Sequence, residues 1–410
     1  METEHYYTHT LPNGLRLILQ HTTSLVAYCG YAVNAGTRDE DANMPGMAHF
    51  IEHMLFKGTE RRKAWHILNR MEHVGGDLNA FTNKEEMVVY CSFMQQDFSR
   101  AVELLTDLVF HSVFPEHEIE KEREVIIDEI KMYEDTPAEL IFDDFENLIY
   151  SGHPLGRNIL GNEESLRRYG KSDADQFYHR YYRPDNMVFF VLGNYTLAQV
   201  VRQVERWTSD IALSPVQISR LQPTSINPVR QNICKHTHQA HLMIGGRAYS
   251  GESSKRVALN LINNLLGGPG MNSRLNVSLR EHRGLVYEIE SSYTPYTDTG
   301  TFCIYFGCDH HDTERCIQLV LKELQHLCEH PLSDSQLRAA KKQLIGQIGV
   351  SSDNHESLAL GMAKTFLHYN RFVTSQEAFK NIELLTAQQL QQVAQEILST
   401  QNLSILCYCQ

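Results

Sequence analysis

The chain lacks any apolar run approaching the roughly 20 residues a membrane helix needs. Its opening, Met1-Glu-Thr-Glu-His-Tyr-Tyr7, has neither the basic region nor the apolar core of a secretory signal, and it is too acidic for a transit peptide. The cytoplasm is therefore the expected compartment. Positive charge is also short: 37 Lys and Arg against 50 Asp and Glu leave a net charge of −13 with no basic stripe, which argues against nucleic acid as a partner. The nine cysteines are odd in number and show no paired spacing, so a disulfide framework is not expected. Cys29, Cys91 and Cys303 lie in apolar strand-like runs and read as buried free thiols, and Cys407 and Cys409 share one strand face. A phosphate loop is missing too, because Gly267-Gly-Pro-Gly270 has no Lys-Ser/Thr ending and no dinucleotide spacing. What remains is an ordinary globular composition, 42% apolar and 21% charged, in a 410-residue chain too long for a single core.

Against that background one stretch carries chemistry. His49-Phe-Ile-Glu52-His53 reads as part of a helix, in the inverted order of the better-known zinc-protease motif. At about 100° per residue, His49 and His53 lie about 40° apart and Glu52 within about 100° of both. Two imidazoles at i and i+4 can reach one metal, and catalytic zinc takes three protein ligands while leaving a position open. The carboxylate between them is placed to accept a proton from water activated by the metal, so Glu52 is the candidate general base. With 21 histidines in the chain, the competing reading is an amphipathic helix with satisfied polar residues.

A third ligand has to come from elsewhere. Residues 115–134 predict a charged helix with Pro115 at its start, acids in its first turn, and Ile119, Val125, Ile126, Ile127 and Ile130 as its apolar residues. Glu122 and Glu129 are seven apart, two turns along one face, so both can look at one site while the other acids face solvent. Glu122 could equally pair with a neighbouring Lys or Arg.

The pattern His49-x-x-Glu52-His53 with Glu129 76 positions after His53 resembles the pitrilysin/insulysin metallopeptidases, in the short two-domain form of mitochondrial processing peptidase subunits and their bacterial relatives. The likeness extends through Thr10-Leu-Pro-Asn-Gly-Leu15, Gly75-Gly-Asp-Leu-Asn-Ala-Phe-Thr-Asn-Lys-Glu85, Val125-Ile-Ile-Asp-Glu129-Ile and His153-Pro-Leu-Gly-Arg-Asn-Ile-Leu-Gly161. It continues in Tyr182-Arg-Pro-Asp-Asn186, Gly267-Gly-Pro-Gly-Met-Asn-Ser-Arg274 and Leu279-Arg-Glu-His-Arg-Gly-Leu-Val-Tyr287. The resemblance implies that His49, His53 and Glu129 hold one Zn2+ per chain, that Glu52 is the base, and that Glu122 supports a zinc-site histidine through its other nitrogen. It also implies that Arg280 holds substrate and that Tyr287 stabilises the oxyanion. On residues alone these two read as a surface ion pair and a half-buried aromatic. Asn79, Ala80 and Phe81 match the family's substrate-bearing edge strand, though an ordinary core strand is the alternative. Gly267 and Gly268 match a substrate-contacting loop, though a turn closing a helix is the alternative.

The chain also looks duplicated. Ala48–Gly58 aligns at an offset of 210 with Ala258–Gly268, where Leu259, Ile262 and Asn263 replace His49, Glu52 and His53. The helix carrying Glu129 aligns at an offset of 218 with one carrying Gln347. Residues 210–230, with Pro215, Pro223 and Pro228, read as a linker. The expected fold is α+β: an N-terminal zinc-binding catalytic domain (1–209) and a metal-free C-terminal repeat (231–410), each an α/β roll with a mainly antiparallel sheet and flanking helices. Cys308-Asp-His-His-Asp312 holds potential ligands, but adjacent side chains diverge and it reads as a polar turn. The expected activity is zinc-dependent hydrolysis of extended peptides, in a homodimer that closes a chamber or in a heterodimer with a degenerate relative. The rival reading is a non-catalytic scaffold or peptide-binding subunit.

Overall fold

The structure is a computed structural model that describes residues 6–215, 218–224 and 227–410; Met1–His5 and four positions of the expected linker (216, 217, 225 and 226) lie outside the described residues. Two compact units emerge, each built on one mixed, mainly antiparallel sheet with helices, as the α+β reading expected. Among the described residues no helix is long and apolar enough to cross a membrane.

Unit 1 holds six strands: β1 (Tyr6–Thr10), β2 (Arg16–His21), β3 (Val26–Val33), β4 (Asp77–Thr82), β5 (Met87–Met94) and β6 (Met187–Gly193), in the order β1-β2-β6-β3-β5-β4. Among the described residues of this sheet only β2 and β6 run parallel. Strand β6 is apolar and buried along its whole length because both sheet faces are covered, its successive side chains alternating between the two layers. Leu17, Leu19, Tyr31, Val33, Val89, Phe189 and Val191 face the layer that contains helix α1 (Met47–Leu55). Ile18, Ala32, Val88, Val188, Phe190 and Leu192 face Ala359, Met362, Ala363, Phe366 and Leu367 of the helix His355–Tyr369. Burying a side chain such as Met362 or Phe366 stabilises by roughly 1.5–3 kcal/mol.

Unit 2 repeats the plan. Its strands β7 (Arg230–Cys234), β8 (Ala240–Ala248), β9 (Val286–Pro295), β10 (Gly300–Cys308) and β11 (Ser404–Cys409) run in the order β7-β11-β8-β10-β9. The single parallel pair, β7 with β11, corresponds to β2 with β6. One face packs on the helix Arg256–Gly267, the counterpart of α1, and the other on Ile141, Phe145 and Ile149 of the helix Pro137–Ile149. The two sheets fall on either side of residues 210–230, but two helices do not. Residues 132–156 belong with unit 2, and residues 351–374 belong with unit 1. The offset of 218 that aligns the repeats maps residue 137 onto 355, so equivalent helices are exchanged between the sheets. The nine cysteines are all free, with Cys29, Cys91 and Cys303 buried.

The turn joining β4 to β5 is unusual in being both charged and buried. Lys84, Glu85 and Glu86 are each at most 4% exposed. Such burial is tolerable only with partners, and each charge has one. Lys84 Nζ donates to Arg157 O, Glu85 accepts from Arg38 at 2.6 Å, and Glu86 meets Lys364 Nζ at 2.8 Å and His368 Nε2 at 3.0 Å. Asn83 closes the turn, its N–H donating to Glu86 O and its amide to Glu86 Oε1. Burial alone would raise the Glu86 carboxyl, but His368 and Lys364 outweigh it and hold the group at about 2, below its ordinary 4.5. A depressed carboxyl adds stability in full above pH 4.5 and loses it as pH falls through about 2. Glu86→Gln should therefore lower the thermal midpoint at neutral pH, with the gap to wild type closing between pH 4.5 and 2. Melting curves across that range check this, and a gap independent of pH would refute it.

Candidate metal centre

Helix α1 is aimed by its N-terminus. Gly46 precedes it at φ +88°, and a Cβ there would sit 2.5 Å from Leu160 O, so only glycine permits this entry. No neighbouring side chain caps the helix. Instead the buried Glu40 carboxylate accepts the N–H of Gly46 on one oxygen and that of Ala48 on the other, at 3.0 and 2.9 Å. Burial pushes the Glu40 carboxyl up to about 8, against the pull of these two amides and of Arg157 and Lys84. A carboxylate at a helix N-terminus satisfies orphan donors and complements the dipole. Phe50, Ile51, Met54 and Leu55 then bury one face of α1, leaving His49, Glu52 and His53 on another.

Helix α2 (Glu116–Glu134) begins directly after Pro115 and buries Ile119, Glu122, Ile126 and Ile127, whereas Val125 is exposed rather than part of the apolar face. Its Glu129 Oε2 lies 3.8 Å from His49 Nε2 and 3.6 Å from His53 Nε2. One ligand atom from each of these three residues falls within 4.8 Å of the others. Tetrahedral zinc with bonds of about 2.0–2.2 Å would set its donors roughly 3.3–3.6 Å apart, so this donor set fits zinc with little adjustment. The second glutamate does two things at once. Glu122 Oε2 lies 3.1 Å from His53 Nδ1, and its Oε1 meets Lys57 Nζ at 2.7 Å, so supporting the histidine and pairing with a lysine are not alternatives. Burial would raise Glu122, but hydrogen bonds from His53 and Lys57 bring it below its ordinary value. Burial, aided by neighbouring His53, holds His49 down to about 3, in the neutral form that ligates metals. Among the described residues the buried His49 Nδ1 has no hydrogen-bond partner.

Glu52 stands beside this cluster, its Oε2 accepting the hydroxyl of Thr82 at 2.6 Å. Burial raises its carboxyl, with Thr82 and His53 opposing and Glu129 reinforcing. Thr82 ends β4, which is the outermost strand of its sheet and pairs only with β5. Asn79, Ala80 and Phe81 therefore do lie on an edge strand, and it leads straight to Glu52. The sequence reading missed Thr82, Lys57 and Glu40. Thr82 stood in plain view after Phe81, but nothing local marks a threonine as a partner of a helix 30 residues away.

The remaining candidates assemble in unit 2. Gly267, Gly268, Arg280 and Tyr287 line one cavity of about 490 Å3. Gly268 caps its helix by donating to Asn264 O, as a helix-closing turn would. Gly267 lies so close to β9 that a Cβ would meet Ser291 N at 2.5 Å. Arg280 and Tyr287 do not share a helical face. Arg280 sits in a π-helical turn, Asn276–Glu281, and the chain then reverses at Gly284 (φ +61°). Tyr287 lies where β9 carries one residue more than β10, since Phe306 pairs with Ile289 and Cys308 with Val286. Such bulges re-aim side chains, and here the result is a guanidinium 5.6 Å above the Tyr287 ring. Tyr287 is 81% exposed, not half-buried. Asp309, His311 and Asp312 also approach one another, but on an exposed turn where Arg315 pairs with Asp312, in keeping with a polar turn.

Comparison with known proteins places this geometry. Residues 16–163 match the model described as insulinase (peptidase family M16), and residues 170–344 match that of the peptidase M16 inactive domain. The chain is 30% identical to the uncharacterized zinc protease YmxG of Bacillus subtilis over 390 residues, covering 95% of each protein. It is 31% identical to an uncharacterized zinc protease of Streptomyces coelicolor over 406 residues, 97% of this chain and 88% of the relative. In fold it is similar to a protease from Helicobacter pylori (TM-score 0.92, 19% identity, 100% of both chains) and to a peptidase M16 inactive domain structure from Pseudomonas fluorescens (TM-score 0.92, 19% identity, 99% and 98%).

Zinc titration should read the cluster directly. His53→Ala or Glu129→Ala should abolish tight binding. Glu122→Gln should weaken it by roughly 10- to 100-fold, the usual effect of removing a partner of a metal-bound imidazole. Competition against a chromogenic chelator checks both, and unchanged affinity in Glu122→Gln would remove Glu122 from the site.

Proposed function

The chain belongs to the insulinase family of peptidases, family M16, and from this premise we propose that it is a zinc-dependent endopeptidase acting on extended or unfolded peptides. The observation that carries the reading is the convergence of His49, His53 and Glu129 with the Glu52 carboxylate beside them. Zinc held by those three residues would lower the pKa of a water molecule toward neutrality and polarise the scissile carbonyl. Glu52 takes the proton from the attacking water and returns it to the leaving amine. The main chain of Asn79, Ala80 and Phe81, at the unpaired edge of β4, offers hydrogen bonds that an extended peptide can use whatever its side chains. Arg280 grips substrate, Tyr287 donates its hydroxyl to the oxyanion, and Gly267 and Gly268 give backbone access.

Unit 1 carries the metal cluster and unit 2 the Arg280–Tyr287 cavity. A homodimer in which Tyr287 serves the partner's centre is self-sufficient because one chain carries both sets; a heterodimer with a degenerate relative is the variant of this arrangement. A scaffold or peptide-binding subunit would need none of the metal residues, and their complete retention favours an enzyme.

Glu52→Gln should bind zinc normally and cleave a test peptide about 10²- to 10⁴-fold more slowly; Tyr287→Phe should lose about 100-fold. Full activity in zinc-loaded Glu52→Gln would refute the mechanism. Mixing the two variants after confirmed subunit exchange should restore part of the activity, and no recovery would refute a shared site.

A further inference from the structure

We infer that Thr82 is a positioning residue for the reaction: its hydroxyl holds Oε2 of Glu52 so that Oε1 is the oxygen that receives and returns the proton. The inference rests on the peptidase reading above. At 2.6 Å the contact has the length of a hydroxyl donating to an ionised carboxylate. Thr82 is 8% exposed, and its one hydroxyl proton is committed to Glu52. Among the described residues no protein group hydrogen-bonds Oε1 of Glu52. The two oxygens are therefore unequal before any substrate arrives.

The proton count then closes. The hydroxyl proton stays on Thr82, a proton of the attacking water passes to Oε1, and the same proton leaves with the amine nitrogen, returning Glu52 to a carboxylate. Protonation on Oε2 would instead require the Thr82 hydroxyl to give up its donation, by rotating or by becoming the acceptor of the carboxyl proton. Thr82 also belongs to the strand whose preceding residues offer main chain to the peptide. The hairpin that holds it is fastened through Asn83 and Glu86 to His368 and Lys364, while Glu52 rides on α1, whose start is fixed by Glu40. Base and substrate strand are thus tied at one hydrogen bond.

The test compares wild type, Thr82→Val and Thr82→Ser in the full-length, zinc-loaded protein with one fluorogenic peptide, alongside zinc stoichiometry and thermal midpoint. Valine keeps the branched shape and removes only the hydroxyl. Thr82→Val should lower kcat roughly 10- to 100-fold, the scale of a misplaced catalytic group, with KM, zinc content and thermal midpoint unchanged. Thr82→Ser should recover most of the loss. A wild-type kcat in Thr82→Val overturns the inference while leaving the peptidase reading intact. A loss in which kcat, zinc content and thermal midpoint fall together, to the same degree in Thr82→Ser, also overturns it, in favour of a purely structural role. A wild-type protein that binds zinc and cleaves no peptide overturns the peptidase reading first and this one with it.

Discussion

The placement of helix α1 depends on one buried carboxylate. Glu40 accepts the first free amides of the helix and so determines where its first turn starts, and with it the direction of His49, Glu52 and His53. A helix nine residues long has little intrinsic preference to form in water, so its register must be imposed from outside. A capping side chain from the adjoining loop could do this only loosely. A buried carboxyl group that accepts two amides, with Arg157 and Lys84 close by, does it at a fixed point, although burial makes its ionised form costly, as its raised pKa shows. Gly46 and Gly161 complete the arrangement, because their bare α-carbons allow the two loops to touch where side chains would collide.

Much of this was legible in the sequence for identifiable reasons. The two histidines and Glu52 could be placed because one helix turn fixes their mutual directions, and both acids of α2 could be placed on one face by the same rule. The α+β class followed from alternating strands between longer amphipathic helices, and the repeat from two offsets in the chain. What was not legible depends on contacts between distant elements. Thr82 reaches Glu52 across 30 positions, Lys57 reaches Glu122 across 65, and no local pattern couples them. The exposure of Tyr287 goes with a bulge in β9, and the π-turn at Arg280 likewise has no periodic signature. The exchanged helices were invisible for a simpler reason: an apolar stripe shows that a helix is covered, never by which sheet.

The two repeats show what duplication preserves and what it releases. Strand order and the single parallel pair recur, because they are dictated by backbone connectivity and twist. The positions of His49 and Glu52 became Leu259 and Ile262, both buried in the core of unit 2. A polar cluster of possible metal ligands and a packed apolar layer are thus two solutions to the same place in one fold. The second repeat, without these side chains, carries an open cavity beside the Arg280–Tyr287 turn.

The helix exchange also sets an order of events during synthesis. The residues that cover the outer face of the first sheet, 355–369, are made after more than four-fifths of the chain, and with them come His368 and Lys364, the partners of Glu86. Until they emerge, the hairpin bearing Thr82 has a buried acid without its cations and a sheet face without its cover. A nascent chain can therefore hold His49, His53 and Glu129 and still lack the contacts that steady the hairpin of Thr82 and Glu86.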